Sequence, residues 1–170
     1  MSIAETVLPE FDNEMASTRK LLERAPEAHA SWKPHPKSYS LGDLVTHVAN
    51  LPVWATITLK DSELHLNPPG GPKFTPLTYA GAETTLKNFD SNVATARETI
   101  AATDDAAFMA PWTLKNAGAT VFTLPRVVVL RSFVLNHLIH HRGQLSVYLR
   151  LKDVPLPSIY GPTADDPAGM

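Results

Sequence analysis

Along the first part of the chain, Leu8, Phe11, Met15, Thr18 and Leu22 recur at three- and four-residue intervals. That is the period of an amphipathic helix with one buried face, and it predicts a helix from Ile3 to Arg24. Pro9 stands close enough to the start to mark the first turn, where a missing N–H is harmless. The helix must stop before Pro26. Next comes Trp32-Lys33-Pro34-His35-Pro36-Lys37. Its two prolines forbid helix and favour an extended crossing, with Trp32 capping one end of the core.

Ser40 opens a second helix. Its hydroxyl suits the free N–H groups of the first turn, and Asp43 suits the positive end of the helix dipole. Leu44, Val48 and Leu51 give the buried stripe, and His47 lies on its edge beside Leu44, Leu51 and Trp54. Pro52 interrupts the pattern and predicts a kink just past His47. The proline- and glycine-rich run from Asn67 to Pro76 is loop, long enough for a crossover between helices. A third helix follows from Ala82 to Ala102, with Leu86, Phe89, Val93, Ala96 and Ile100 on one face, and Asp104-Asp105 ends it.

Between Phe108 and Leu124 the period changes. Trp112 and Leu114 on one side, and Val121 to Leu124 on the other, flank Lys115-Asn116-Ala117-Gly118, which predicts a short β-hairpin appended to the helices. Pro125 then starts the last and longest helix, Arg126 to Leu151. The tail from Val154 to Pro162 carries too many prolines for regular structure, and residues 163–170 are expected to be frayed. No repeat or linker divides the chain, so 1–170 reads as a single helical domain.

Composition narrows the chemistry. A hydrophobic share of 44% and a charged share of 19% are those of an ordinary globular protein. The formal net charge of −2, with no Lys/Arg run, excludes the basic face that nucleic acid requires. There are no cysteines, so disulfides, thiolate ligands and a cysteine nucleophile are excluded, and any metal must be held by nitrogen and oxygen. The N-terminus lacks a secretory pattern, and Arg131 at once breaks the apolar run Val127 to Leu130. A soluble, cytoplasmic protein without membrane contact is expected.

The candidate chemistry sits in Asn136-His137-Leu138-Ile139-His140-His141-Arg142-Gly143-Gln144. At about 100° per residue, Leu130, Val134, His137, His141, Gln144 and Tyr148 share one face of the last helix. The apolar stripe thus turns polar where the histidines enter it. Residues four apart project the same way, so His137 and His141 have the spacing for one metal ion. His47, alone on another inward face, is the best third ligand. A single histidine on an apolar face is more often a satisfied core residue than a ligand; two at this spacing with a third opposite favour the metal. His140 points about 100° away from His141. It could pair with His137 at three residues' spacing, but all three cannot share one ion comfortably, so it reads as a support to the ligands or an interface residue. Gln144 and Tyr148 stand as candidates to surround the ligands, and Arg142 is expected to reach solvent or a partner subunit. His29, His35 and His65 read as surface histidines.

Three neutral histidines leave a divalent ion its full charge and an open position. Such an ion acidifies bound water for hydrolysis or binds a small thiol as thiolate. The all-nitrogen donors suit zinc, nickel, copper or iron. No carboxylate stands out near the three as a general base.

The segments Leu44-Val45-Thr46-His47-Val48 and Asn136 to Leu145, with the tail Asp153 to Pro162, resemble the DinB/YfiT family over most of the length. The resemblance implies an all-α fold, an antiparallel four-helix bundle with a long crossover, often a homodimer. It also implies a divalent ion, zinc or nickel above all, held by His47, His137 and His141. Relatives include S-transferases and isomerases that use low-molecular-weight thiols, and metal-dependent hydrolases, all acting on small molecules. Two functions of different class follow. One is a metal-dependent enzyme, a hydrolase or thiol transferase. The other is a metal-binding protein without catalysis, in which the ion braces the bundle or serves sensing. An open coordination position separates them.

Overall fold

The structure, a computed structural model, describes residues 1–167. Helix α1 (Ile3–Leu22) starts at a capping box. The Ser2 hydroxyl accepts from the Glu5 backbone N–H at 3.2 Å, and the Glu5 carboxylate accepts from the Ser2 N–H at 2.6 Å. The helix thus begins at Ile3, as the period predicts, and the first turn is set by this cap rather than by Pro9. Pro9 lies inside the helix and is tolerated on its exposed side. Val7, Phe11, Met15, Thr18 and Leu22 form the buried stripe.

Helix α2 (Leu41–Asn50) is capped by Ser40, whose hydroxyl accepts from the Asp43 N–H at 3.1 Å. At Leu51 and Pro52 the helix is interrupted, and α3 (Val53–Lys60) carries on beyond the break. The irregularity falls where the kink was expected: Leu51 and Pro52 keep helical backbone angles, but Pro52 has no N–H to continue the ladder. The crossover that follows opens with a strand that the sequence did not announce, β1 (Glu63–Leu66). Helix α4 (Ala82–Ala102) has the predicted span. Asp104 does end it, but also accepts from the Ala107 N–H at 2.7 Å and so caps a short helix α5 (Asp105–Met109).

The predicted hairpin forms as β2 (Pro111–Asn116) and β3 (Ala119–Pro125). Its turn residues Ala117 and Gly118 have φ of 47° and 84°, the positive values that a two-residue hairpin turn demands. The hairpin is not alone: β1 pairs with β2 in parallel, giving a three-stranded sheet in the order β1-β2-β3. The fold is thus mostly helical with a small mixed sheet, in which a third strand joins the hairpin expected as an appendage to an all-α fold. A four-residue strand whose partner lies about 50 positions away leaves no local signal.

The last helical stretch comprises α6 (Arg126–Val129), a π-helical segment over Leu130–Leu135, and α7 (Asn136–Arg150). The wider turn of the π segment was not foreseen, and it lies immediately before His137. Helix α4 packs on α1, α2 and α3, while α7 packs on α2 and α1. Their shared core holds Phe11, Leu44, Phe89, Ile100, Leu138 and Leu145. A smaller core of Trp112, Leu114 and Val129 joins the sheet to this framework. Trp32 packs on the main core as expected, with its ring edge-on to Tyr148 at 5.6 Å.

After α7 the irregular tail runs back over the helices. Leu156 and Ile159 pack on the core, the Thr163 hydroxyl donates to the Leu156 carbonyl at 2.8 Å, and Asp165 pairs with Arg150. Of the segment expected to fray, positions 168–170 lie outside the described residues. Among the described residues no helix is long and apolar enough to cross a membrane.

Candidate metal centre

The break at Pro52 and the π segment both lie close to one point, where the last turn of α2 faces the first turns of α7. Here His47 comes from α2, and His137 and His141 from successive turns of α7. Their Nε2 atoms converge: His137 lies 3.3 Å from His47 and 2.9 Å from His141. All three ligand atoms lie within 4.8 Å of one another and could hold a metal ion. Nitrogens at the usual zinc distance in a tetrahedron stand about 3.3 Å apart, so the spacing fits a shared ion.

Hydrogen bonding on the outer side of the two α7 rings sharpens that fit. The His141 Nδ1 lies 2.7 Å from the Gln144 side-chain oxygen. An amide oxygen only accepts, so Nδ1 carries the proton and Nε2 keeps its lone pair. His137 is fixed by a hydrogen bond to the Phe133 backbone, which favours the same arrangement. Two lone pairs therefore face each other across 2.9 Å, an arrangement that a cation between them relieves. Burial, followed by the neighbouring imidazoles His141 and His137, pushes His47 down to about 4. Burial is also the main cause that lowers His137 and His141 below the ordinary histidine value. At neutral pH the three rings are uncharged, the form that binds metal.

The other predicted residues divide clearly. Gln144 bridges outward, its side-chain nitrogen 3.1 Å from the His140 Nε2; the His140 ring also meets His141 edge-on at 4.9 Å, but His140 is not one of the three converging ligands. The Tyr148 hydroxyl donates to the Tyr39 carbonyl at 3.4 Å. Arg142 does not reach solvent. It is buried, 2.6 Å from the Glu14 carboxylate, with its guanidinium also bonded to the Tyr160 hydroxyl at 2.6 Å. An arginine beside two histidines looks like surface when its carboxylate partner is 128 positions away. His29, His35 and His65 stay apart from the cluster.

Two residues that sequence reasoning left out of the site stand beside the histidines. Tyr39 stacks on His47, with centroids 5.7 Å apart and planes at 25°, and meets His141 edge-on at 6.3 Å. Asp43 lies one helical turn before His47, on the same face of α2. The spacing that joins His137 to His141, applied backwards from His47, points to it. It is a carboxylate lining two cavities beside the cluster, one that the sequence reading did not single out for the site.

Two cavities open beside the cluster. One, of about 500 Å³, is lined by His47 with Trp54, Leu66, Phe74 and Leu77. The other, of about 460 Å³, is lined by His141, Gln144 and Tyr148 with Lys33 and Lys37. Tyr39 and Asp43 line both, so the two cavities are neighbours that share those residues.

A family model described as the DinB superfamily matches residues 10–145. Among solved structures, a DinB-like protein from Bacillus cereus is similar over 94% of this chain and 98% of its own, with a TM-score of 0.70 and 22% identity. A DinB-like protein from Bacillus subtilis is similar over 91% of this chain and 96% of its own, with a TM-score of 0.65 and 18% identity. At those identities the likeness is one of fold. No curated protein matches the chain.

Proposed function

The chain belongs to the DinB superfamily, and on that footing we infer that it is a metal-dependent enzyme acting on a small molecule. His47, His137 and His141 hold one divalent ion, zinc or nickel first, with iron and copper also suited to an all-nitrogen donor set. When bound, such an ion lowers the pKa of water or a thiol at its open position. The observation that carries the reading is the convergence of three uncharged imidazole nitrogens beside two neighbouring cavities. Among the described residues no fourth histidine, aspartate or glutamate joins the cluster, which leaves room for a substrate atom.

The chain's own groups then have distinct tasks. Gln144 holds the His141 ring with its Nε2 lone pair inward. Asp43, which lines both cavities, accepts the proton given up by water or thiol. Tyr39 covers the His47 ring and shields that side of the site from solvent. Hydrolysis and thiol S-transfer both fit this division of labour. The helical segments α1, α2–α3, α4 and α6–α7 are read as the four legs of an antiparallel bundle. A cytoplasmic homodimer is its setting, with Val147 on α7 and Leu151 just past its end exposed as a contact surface.

Metal analysis of untagged protein tests the first step. Wild type is expected to carry about one ion per chain. His47→Ala and His137→Ala should lose it, and His140→Ala should keep it. Equal metal in wild type and His137→Ala defeats the reading. Asp43→Asn should keep the ion and lose turnover against a panel of thiols with electrophiles and of simple esters. If Asp43→Asn and wild type are alike inactive throughout that panel, the non-catalytic metal-binding role takes its place.

A further inference from the structure

We propose that the site selects amphipathic anions, small molecules with an acid group at one end and an aryl or branched alkyl group at the other. This rests on the reading of the histidine cluster as the reacting centre and names the substrate class it serves. The two cavities that share Tyr39 and Asp43 differ in chemistry. The walls of one are Trp54 and Phe74 with neighbouring leucines. The other exposes the ammonium groups of Lys33 and Lys37. Among the described residues neither lysine makes an ion pair, so both charges are free for a ligand. Asp43, opposite to them in charge, lines both cavities.

The lysine wall is preformed. The Trp32 carbonyl accepts from the Leu41 N–H at 2.8 Å, and the Ala30 carbonyl accepts from the Gly42 N–H at 2.8 Å, pinning the loop to the start of α2. His35 closes a turn within it, accepting from the Lys37 N–H at 3.1 Å through Nδ1 and from the Ser38 N–H at 2.9 Å through its carbonyl. Pro34 and Pro36 remove further backbone freedom. Fixing the lysine backbone beforehand reduces the ordering that a bound anion would otherwise impose. An acid group against Lys33 and Lys37, with an apolar end against Trp54, lays the bond between them across the histidine cluster.

Calorimetric titration tests this with phenylbutyrate, phenylbutanol and butyrate, each added to protein as purified and again after chelation, with metal content measured on the same samples. Phenylbutyrate should bind about tenfold or more tighter than either single-ended probe, the size of one charge-assisted contact. That preference should survive chelation, which separates this proposal from the metal reading. The Lys33→Met/Lys37→Met variant, altered only at exposed side chains, should bring phenylbutyrate to within about threefold of phenylbutanol and leave phenylbutanol unchanged. Trp54→Ala should weaken phenylbutyrate and phenylbutanol but not butyrate. Equal binding of acid and alcohol by wild type, equal loss of both in the lysine variant, or no binding of phenylbutyrate would each overturn the proposal.

Discussion

The Arg142 guanidinium lies 2.6 Å from the Glu14 carboxylate, and both side chains are almost wholly withdrawn from water. The Tyr160 hydroxyl completes the contact, 2.7 Å from the carboxylate and 2.6 Å from the guanidinium. The residue directly after a proposed ligand thus anchors α7 to α1 and the tail to both. Removing one charge leaves the other buried without a counter-charge. Arg142→Met should cost about 3–5 kcal/mol in urea denaturation, and Tyr160→Phe about 1 kcal/mol. The double variant Glu14→Leu/Arg142→Met should cost less than Arg142→Met alone. A double variant as costly as the sum of its singles would show that the two groups act independently.

Acid should weaken the metal-free protein. His47 is held at about 4 when folded and returns to about 6.5 when unfolded. Between those values the unfolded chain binds more protons, so stability falls as pH falls. His137 and His141 are lowered too and act in the same sense. Carboxylates also titrate in this range, so the informative quantity is a comparison. Melting temperatures of chelated wild type and His47→Gln, followed from pH 7 to 4.5, should show the steeper decline in wild type. Parallel curves would remove the histidine contribution.

Glycines at two positions should respond oppositely to alanine. A Cβ on Gly42 would stand 2.9 Å from the Tyr79 ring and 3.1 Å from the Ala30 carbonyl oxygen, where the lysine loop docks. Gly42→Ala is expected to cost about 1–3 kcal/mol through overpacking. At Gly143, inside α7, the added carbon meets nothing. Gly143→Ala should stabilise by up to about 1 kcal/mol, because the unfolded chain loses freedom and the helix gains. Denaturant midpoints of the two variants decide it.

Gln144 reaches the proposed ion only through His141. Replacing it by leucine removes the acceptor that holds the ring proton on Nδ1. Metal affinity, measured against a competing chelator, should drop about 10–100-fold, with the fold intact by circular dichroism. His140 bonds the other end of the same amide and meets the His141 ring only edge-on, and its removal leaves the Nδ1 acceptor in place, so His140→Ala should change affinity far less. Equal losses would assign His140 a direct part.

The histidine trio was legible because helix geometry alone brings His137 and His141 together, and because His47 stands alone on an inward stripe. The Ser40 cap, the span of α4 and the Ala117-Gly118 turn were equally local. What escaped depended on distant partners or on a weak local signal. Strand β1 exists through its parallel pairing with β2, and Arg142 is buried because Glu14 waits across the core. The π segment hides in an apolar run that any helix could carry. The start of α1 at Ile3 was given by the period, while Ser2 and Glu5, three apart, are the local signal of its cap. Asp43 was noticed for the helix dipole, and its second position, one turn before His47, went unused.

The contact between His47 and His137 joins points 90 residues apart in a chain that has no cysteines. An ion held there would act as the molecule's clasp, bound by the folded chain and lost with it. At a free-ion concentration a thousand times its dissociation constant, that linkage adds about 4 kcal/mol to folding. Without the ion, the same nitrogens face one another with nothing between them. The lifetime of the protein in a cell would then follow the supply of metal, and starvation for it would thin the population before any reaction was asked of it.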